Sequence, residues 1–363
     1  MMQKRKIAIT TRDNSFVWSN GINQNAYFLY KLLEKAGYEP DLVCPIKNNK
    51  TDNIGGIPLR HLNIATCTKY DVIIQVVNMI NELMASHFVQ NGGKLVSIRY
   101  GNKLLVDIET ILFADEPKDC ASTDTPGVGH QMWISPHYEF ASGYLETLSR
   151  RNVKICPYVW SPEIFDARAK ELKLSPFFNE KTTVGNIGVF EPNLNIVKTS
   201  LIPMVVAENL YRKRPELIKH TYLFSAKKLL DNKRFGSIAK SFNIYHDGKL
   251  TFEERFHTPY VLSKNIVGCC VSHQFENQLN YLQLEMMYCG VPIVHNSPWF
   301  KDHGYYYDYF DVHAASKALE EALETHKDTF KEKRQKDRAR LEEFSPYNPK
   351  NIEKYTELIE SLF

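Results

Sequence analysis

The 363-residue sequence has no run of about 18 consecutive apolar residues, so no segment of it is expected to span a membrane. Its opening, Met-Met-Gln-Lys-Arg-Lys, leads straight into a strand-like run without the apolar core of a secretory signal. Disulfide and zinc patterns are also missing. The seven cysteines (Cys44, Cys67, Cys120, Cys156, Cys269, Cys270, Cys289) are odd in number and scattered, with no Cys-x-x-Cys pair, and they read as reduced thiols. From these absences the expected location is cytoplasmic, in a bacterium or in a virus-infected host cell. There is little charge excess either. Forty-five Lys and Arg stand against 42 Asp and Glu, a formal net charge of +3, which excludes a strongly electrostatic nucleic-acid binder but not a local basic patch. No G-x-G-x-x-G follows the first strand, which argues against a dinucleotide dehydrogenase.

What is present is globular. Apolar residues make up 43% and charged residues 24%, and the length suits two domains, each with its own core. Strand-like runs at residues 6–10, 38–44, 72–77, 94–99 and 131–135 alternate with helical stretches, one of which (26–36) closes at Gly37. That alternation predicts α/β architecture with parallel sheets covered by helices. Residues 152–170 (NVKICPYVWSPEIFDARAK), with two prolines and little periodicity, read as a connector. A second series follows, with strand signals at 182–189, 220–224, 265–271 and 292–295. Two such sheets facing each other would form a cleft at the carboxyl ends of their strands, where ligands bind in this class of fold.

Two segments of the second half carry chemistry. In residues 186–216 a strand ends near Phe190, a polar loop holds Glu191, Asn193 and Asn195, and a helix is expected from Ile196 or Val197. Lys198 would then sit in the first helical turn, where free N–H groups already favour an anion. A solvated surface lysine is the plainer alternative. In residues 264–297 a strand ends in polar residues (His273), the loop Gln274–Asn277 carries Glu276, and a helix is expected from about Gln278 to Cys289 with Asn280 and Glu285 inside it. An unpaired buried carboxylate costs several kcal/mol, roughly, so Glu285 is expected to face a polar cavity and accept from a hydroxylated ligand such as a ribose; an exposed helix Glu is the alternative. Gly290 and Pro292 turn the chain into a strand that ends in His295, Asn296 and Ser297.

The stretch LEMMYCGVPIV (284–294) resembles the L-E-A-M-A-x-G-x-P-V-V of GT-B glycosyltransferases, in particular the E-x7-E branch that includes glycogen synthases and many bacterial sugar transferases. The resemblance implies two Rossmann-like domains facing a cleft. The N-terminal, acceptor-side domain would cover residues 1–165 and the nucleotide-sugar domain 166–345, with a C-terminal helix (346–363) crossing back. It also matches Glu285 to the glutamate that holds the nucleotide ribose and Lys198 to the lysine placed against the donor diphosphate. Where the branch has its first glutamate, which contacts the donor sugar, this chain has Asn277 with Glu276 beside it. At a finer level, IGVFEPNLNIVKTSLIP, SHQFENQLNYLQLE and PIVHNS…GYYYDYFD together are similar to a divergent bacterial and viral set of glycosyltransferase-like proteins of unknown function. This similarity covers roughly residues 184–315.

The resemblance implies a sugar transfer from a nucleotide diphosphate donor, uridine-linked, to a hydroxyl of a glycan or other acceptor. The donor is a co-substrate and no further cofactor is expected; without a D-x-D motif no metal is expected either. The donor set is Glu191, Lys198, His273, Gln274, Glu276, Asn277, Gln278, Asn280, Glu285, His295, Asn296 and Ser297. On the acceptor side stand Gly21, which lets backbone approach a phosphate or acceptor, with Asn23 and Glu139. Asp13 and His137 are the candidate general bases, each also readable as an ordinary loop residue. Similarity to the E-x7-E branch implies retention of configuration. One alternative acceptor is 5-hydroxymethylcytosine in phage DNA, although residues 1–150 hold 15 Lys and Arg against 15 Asp and Glu. The basic run 331–340 (KEKRQKDRAR) is a solvated helix face or a polyanion contact. Outside the class stand a nucleotide-sugar epimerase and a non-catalytic binding module.

Overall fold

Short, nearly uninterrupted apolar runs become inner strands of two parallel sheets, because a strand covered by helices on both faces has no polar side. The computed structural model describes residues 5–13, 21–46, 51–76, 79–113 and 128–363. The chain divides into two units. Unit 1 comprises Met1–Ile164 with Glu342–Phe363, and unit 2 comprises Phe165–Leu341.

In unit 1 the strands are β1 (Lys6–Thr10), β2 (Glu39–Cys44), β3 (Asn53–Ile54), β4 (Ile57–His61), β5 (Val72–Gln75), β6 (Lys94–Arg99), β7 (Gln131–Ile134) and β8 (Asn152–Ile155). They form one sheet in the order β3-β4-β2-β1-β5-β6-β7-β8, parallel except for the β3–β4 pair. Ile7 and Ile9 of β1 are fully buried, as are Phe28, Leu29, Leu32 and Leu33 at helical spacing on the helix Gly21–Lys35. The helix Pro349–Glu360 completes this unit. Its Tyr355 is fully buried, edge-on to Trp133 at 6.1 Å, and donates its hydroxyl hydrogen to the Pro157 carbonyl at 3.0 Å. At the end of the same helix, Glu360 pairs with Arg5 at 3.1 Å and accepts from the Tyr38 hydroxyl at 2.8 Å.

Unit 2 carries β9 (Asn186–Val189), β10 (His220–Leu223), β11 (Leu250–Phe252), β12 (Cys269–Val271), β13 (Ile293–His295) and β14 (Tyr305–Tyr306). Every pair is parallel, in the order β11-β10-β9-β12-β13-β14. Ile187, Val189, Met204, Leu223, Val271 and Leu319 anchor its core. The helix Tyr281–Cys289 ends at Gly290, whose φ of +70° is left-handed; a Cβ there would also lie 2.8 Å from Arg334 Cδ. The long helix Val312–Leu341 packs on the helix Leu201–Tyr211.

Several local expectations change. The stretch 152–170 is not a plain connector: it forms β8 and then the helix Glu163–Glu171. The helix expected from residue 196 or 197 starts at Leu201. Asn193, at φ 54°, holds the intervening chain as a loop, accepting from Ser200 N–H at 2.7 Å and donating to the carbonyls of Glu191 (2.9 Å) and Ser225 (3.2 Å). Local side-chain bonding to backbone therefore wins over the helical spacing of Ile196 and Val197. The two-residue strands β3 and β14 are too short to leave a periodic signal. The six described cysteines are buried and form no disulfide. Cys120 and residues 14–20 of the first loop lie outside the described residues. Among the described residues no helix is long and apolar enough to cross a membrane.

Candidate functional site

In an open parallel sheet, neighbouring loops diverge where the strand order reverses, and ligands bind at the carboxyl ends of the strands there. In unit 2 that point lies between β9 and β12. Glu191, two residues past β9, is 1% exposed and closes the gap. Its Oε1 accepts from Ser272 Oγ at 2.6 Å and from His273 N–H at 3.3 Å, and its Oε2 accepts from Gln274 Nε2 at 2.6 Å. Burial pushes the Glu191 carboxyl up to about 7, opposed by these donors and by the positive charge of Lys198. Burial likewise lowers the Lys198 ammonium, and Glu191 opposes that shift. Lys198 thus stands beside a buried carboxylate but in the loop before the helix, not in its first turn. The expected place in the first helical turn is corrected: Lys198 stands three residues before the helix.

The loop after β12 is tied in depth. Gln274 N–H donates to Asn296 Oδ1 at 3.0 Å, and Asn296 Nδ2 donates back to the Gln274 carbonyl at 2.9 Å. Asn277 Nδ2 donates to Gln274 Oε1 at 2.6 Å. Glu276 precedes it at φ 47°, a left-handed turn. Asn280 caps the helix Tyr281–Cys289, accepting from Gln283 N–H at 3.2 Å. His273 Nδ1 lies 2.8 Å from the Tyr307 hydroxyl, which itself reaches the Ser272 carbonyl at 3.3 Å. The hydroxyl has one proton, so satisfying both contacts makes Nδ1 the donor and leaves Nε2 as an acceptor. Burial holds His273 neutral, at about 4.

The residues at the end of β13 and just past it are bonded within unit 2. His295 Nε2 faces the His303 carbonyl at 2.8 Å and Nδ1 accepts from Ser297 N–H at 3.2 Å, so both ring nitrogens are engaged. Ser297 Oγ donates to the Gln278 carbonyl at 2.5 Å. Glu285 lies within its helix and is half-buried. Burial pushes its carboxyl up to about 7, against a hydrogen bond from Thr258 and the charge of Arg255. Glu285 therefore meets the segment after β11, whereas Glu191, Gln274, Asn277 and Asn296 form one continuous network. Sequence reasoning missed Ser272, Arg255 and Thr258. Ser272 was findable as the first residue past a strand; Arg255 and Thr258 carry no local signal, because their partner Glu285 is distant in sequence.

The unit 1 candidates are more dispersed. The switch in strand order falls between β1 and β5. There Thr10 Oγ1 accepts from Val76 N–H at 3.0 Å, while Asn23 Oδ1 accepts from Thr11 Oγ1 at 3.1 Å and Arg12 N–H at 3.4 Å. Asp13 Oδ1 accepts from Thr51 N–H at 2.8 Å. Gly21 opens its helix and is exposed. His137 and Glu139 share the turn Pro136–Ala141, but His137 is buried against Tyr138 at 3.9 Å and Glu139 is exposed. Among the described residues no group of three or more His, Cys, Asp or Glu is placed to hold a metal ion.

The basic run 331–340 is engaged within unit 2. Lys331 pairs with Glu180 at 3.2 Å, and Lys336 and Arg340 donate to the carbonyls of Asp302 (2.7 Å) and Trp299 (3.3 Å). Lys333 lies over Tyr305, and Arg338 lies over Tyr288 at 5.1 Å.

Among curated proteins, none matches the chain. A family described as protein of unknown function, DUF2827, matches residues 6–359. Among solved structures, the fold is similar to Anabaena HepE in complex with UDP and glucose, with a TM-score of 0.62, 11% identity, and 98% of this chain and 100% of that chain covered. It is also similar to an alpha-glucosyltransferase in complex with UDP and a 13-mer DNA containing an HMU base (TM-score 0.61, 12% identity, 99% and 100% covered). A third similar structure is the sucrose-phosphate synthase of Thermosynechococcus elongatus (TM-score 0.58, 14% identity, 99% of each chain covered). At these identities the shared property is the fold, and it is that of the GT-B glycosyltransferases.

Proposed function

The chain belongs to the DUF2827 family, and we propose that it is a glycosyltransferase moving a sugar from a uridine diphosphate donor to an acceptor hydroxyl. The observation that carries this reading is the polar network at the β9/β12 switch point, within a fold shared along nearly the whole chain with structures that hold UDP or UDP-glucose. When the donor's glycosidic bond breaks, negative charge grows on the β-phosphate oxygens. Lys198 and loop amides stabilise that charge where water is scarce. Glu285 accepts from the ribose hydroxyls, and the loop from His273 to Asn280 faces the sugar. Asp13 and His137 are the candidate bases on the acceptor side. The acceptor is a glycan or another small hydroxylated molecule. The balanced charge of residues 1–150 and the internal engagement of the 331–340 run support that choice over DNA.

The test is a screen of nucleotide sugars by thermal shift, since a ligand at 100 times its Kd adds about 2.7 kcal/mol of stability. Acceptor panels, including hydroxymethylated DNA, follow with UDP release as the readout. Stabilisation by a UDP-sugar together with acceptor-dependent UDP release supports the reading. Donor turnover without any acceptor points to an epimerase, and binding without turnover to a binding module. A protein that no nucleotide sugar stabilises ends the proposal.

A further inference from the structure

Glu191 takes three hydrogen bonds from its own unit. Both oxygens accept from Ser272, His273 and Gln274, so the carboxylate is occupied before any ligand arrives. Ser272 Oγ gives its single proton to Glu191 Oε1, so it accepts from the Gln274 group 3.3 Å away, and that group is the NH2 that also donates to Glu191 Oε2 at 2.6 Å. Gln274 Oε1 then points away from Glu191 and accepts from Asn277 Nδ2 at 2.6 Å. The flip of Asn277 is settled in turn, with its NH2 towards Gln274 and its Oδ1 directed elsewhere. Asn296 fixes the backbone from which the Gln274 side chain springs, binding both its N–H and its carbonyl. Asn277 lies on the loop after β12, at the carboxyl end of the strand beside the switch point, which is where this class of sheet meets its ligands.

We propose that Glu191 is a positioning residue which, through Gln274, sets the face of the Asn277 amide presented to the nucleotide sugar. The ligand part rests on the glycosyltransferase reading; the relay of amide orientation rests on the bonds alone. One consequence separates this role from general packing. Gln274→Glu sets a second carboxylate against Glu191, at the position of a 2.6 Å contact. The exchange Glu191→Gln with Gln274→Glu restores a donor facing an acceptor. The carboxylate that the exchange puts at position 274 again offers an oxygen to Asn277 Nδ2, so the orientation of Asn277 is unchanged.

The experiment compares wild type, Gln274→Glu and the exchanged double variant. It measures melting temperature without ligand, and Kd for UDP and for UDP-glucose by calorimetry. Gln274→Glu is expected to weaken UDP-glucose binding by about tenfold or more, the scale of one hydrogen bond to a charged group. The exchanged variant is expected to return to within about threefold of wild type, because the bond is remade with its polarity reversed. Glu191→Gln alone has a single oxygen for the donors of Ser272 and His273 and turns its NH2 towards Gln274, so it is expected to reverse the Gln274 and Asn277 amides and weaken UDP-glucose binding without adding a charge, which keeps the test open if Gln274→Glu fails to fold. An exchanged variant that melts like wild type yet binds UDP-glucose as poorly as Gln274→Glu overturns the proposal, as does a folded Gln274→Glu with wild-type affinity. A wild-type protein that binds no nucleotide sugar overturns the functional reading and the ligand part. The relay is then decided by the ligand-free melting order, which supports it only if the exchange recovers what Gln274→Glu loses.

Discussion

The two switch points of this chain are built alike and tied differently. Across β1 and β5 the tie is a threonine hydroxyl, Thr10, taking a backbone N–H, with Asn23 and Thr11 beside it. Across β9 and β12 the tie is a buried carboxylate, Glu191, with three donors and a lysine charge nearby. Neutral ties of the first kind hold a loop at little electrostatic cost. A buried carboxylate is costly to desolvate and worth keeping where a fixed acceptor is needed. The difference teaches that one kind of corner can be tied by neutral groups in one unit and by a buried carboxyl in the other.

The comparison breaks most visibly at Lys198. Lys198→Ala is expected to lower turnover by on the order of 10²–10³ while the protein stays folded, the usual cost of one lost donor to developing charge. Steady-state rates with circular dichroism check this, and near-normal turnover would move the diphosphate elsewhere. Next in size, Glu285→Ala should weaken UDP binding by about 1.5–3 kcal/mol, read by calorimetry. In unit 1, Asn23→Ala should cost about 1 kcal/mol of stability in urea, with UDP affinity unchanged, because Asn23 ties the loop after β1.

Acidity sharpens the comparison further. Glu285 has its folded pKa raised from 4.5 to about 7, so the folded state binds that proton more tightly than the unfolded one. On this account stability is highest below pH 4.5 and falls as pH rises towards 7, then stays level. Buried His273 and His295, both lowered to about 4, act the opposite way, so the difference from Glu285→Gln isolates the effect. Wild type should gain on that variant between pH 8 and pH 5, by roughly the linkage integral of one proton. Arg255 and the Cys289 thiol face the same carboxyl, and Arg255 opposes the shift. The smallest effect is expected at Arg338→Ala, about 0.5–1 kcal/mol from its ring contacts, with no change in the salt dependence of acceptor use. A salt slope that flattens would return the basic run to a polyanion role.

The parallel sheets were legible because helices on both faces leave inner strands such as Lys6–Thr10 buried with an apolar centre. The polar residues just past β9, β12 and β13 were legible for a related reason, since a buried strand has little use for Glu191, His273 or Asn296 unless something meets its end. What escaped was set by partners distant in sequence. The Glu191–Gln274 bond spans 83 positions, and no local period announces it. The start of the helix at Leu201 escaped because Asn193 competes through its side chain, and periodicity does not register that competition.

Unit 1 is discontinuous in the chain, since Glu342–Phe363 belongs to it although Phe165–Leu341 intervenes. On a ribosome the whole of unit 2 is therefore made before Tyr355 arrives to cover Trp133 and bond Pro157. The half that begins first is finished last. Until then the nascent unit 1 holds an uncovered aromatic face, the kind of surface that recruits chaperones and invites association. A released chain truncated after Leu341 is expected to show unit 2 resistant to protease and unit 1 still cleavable.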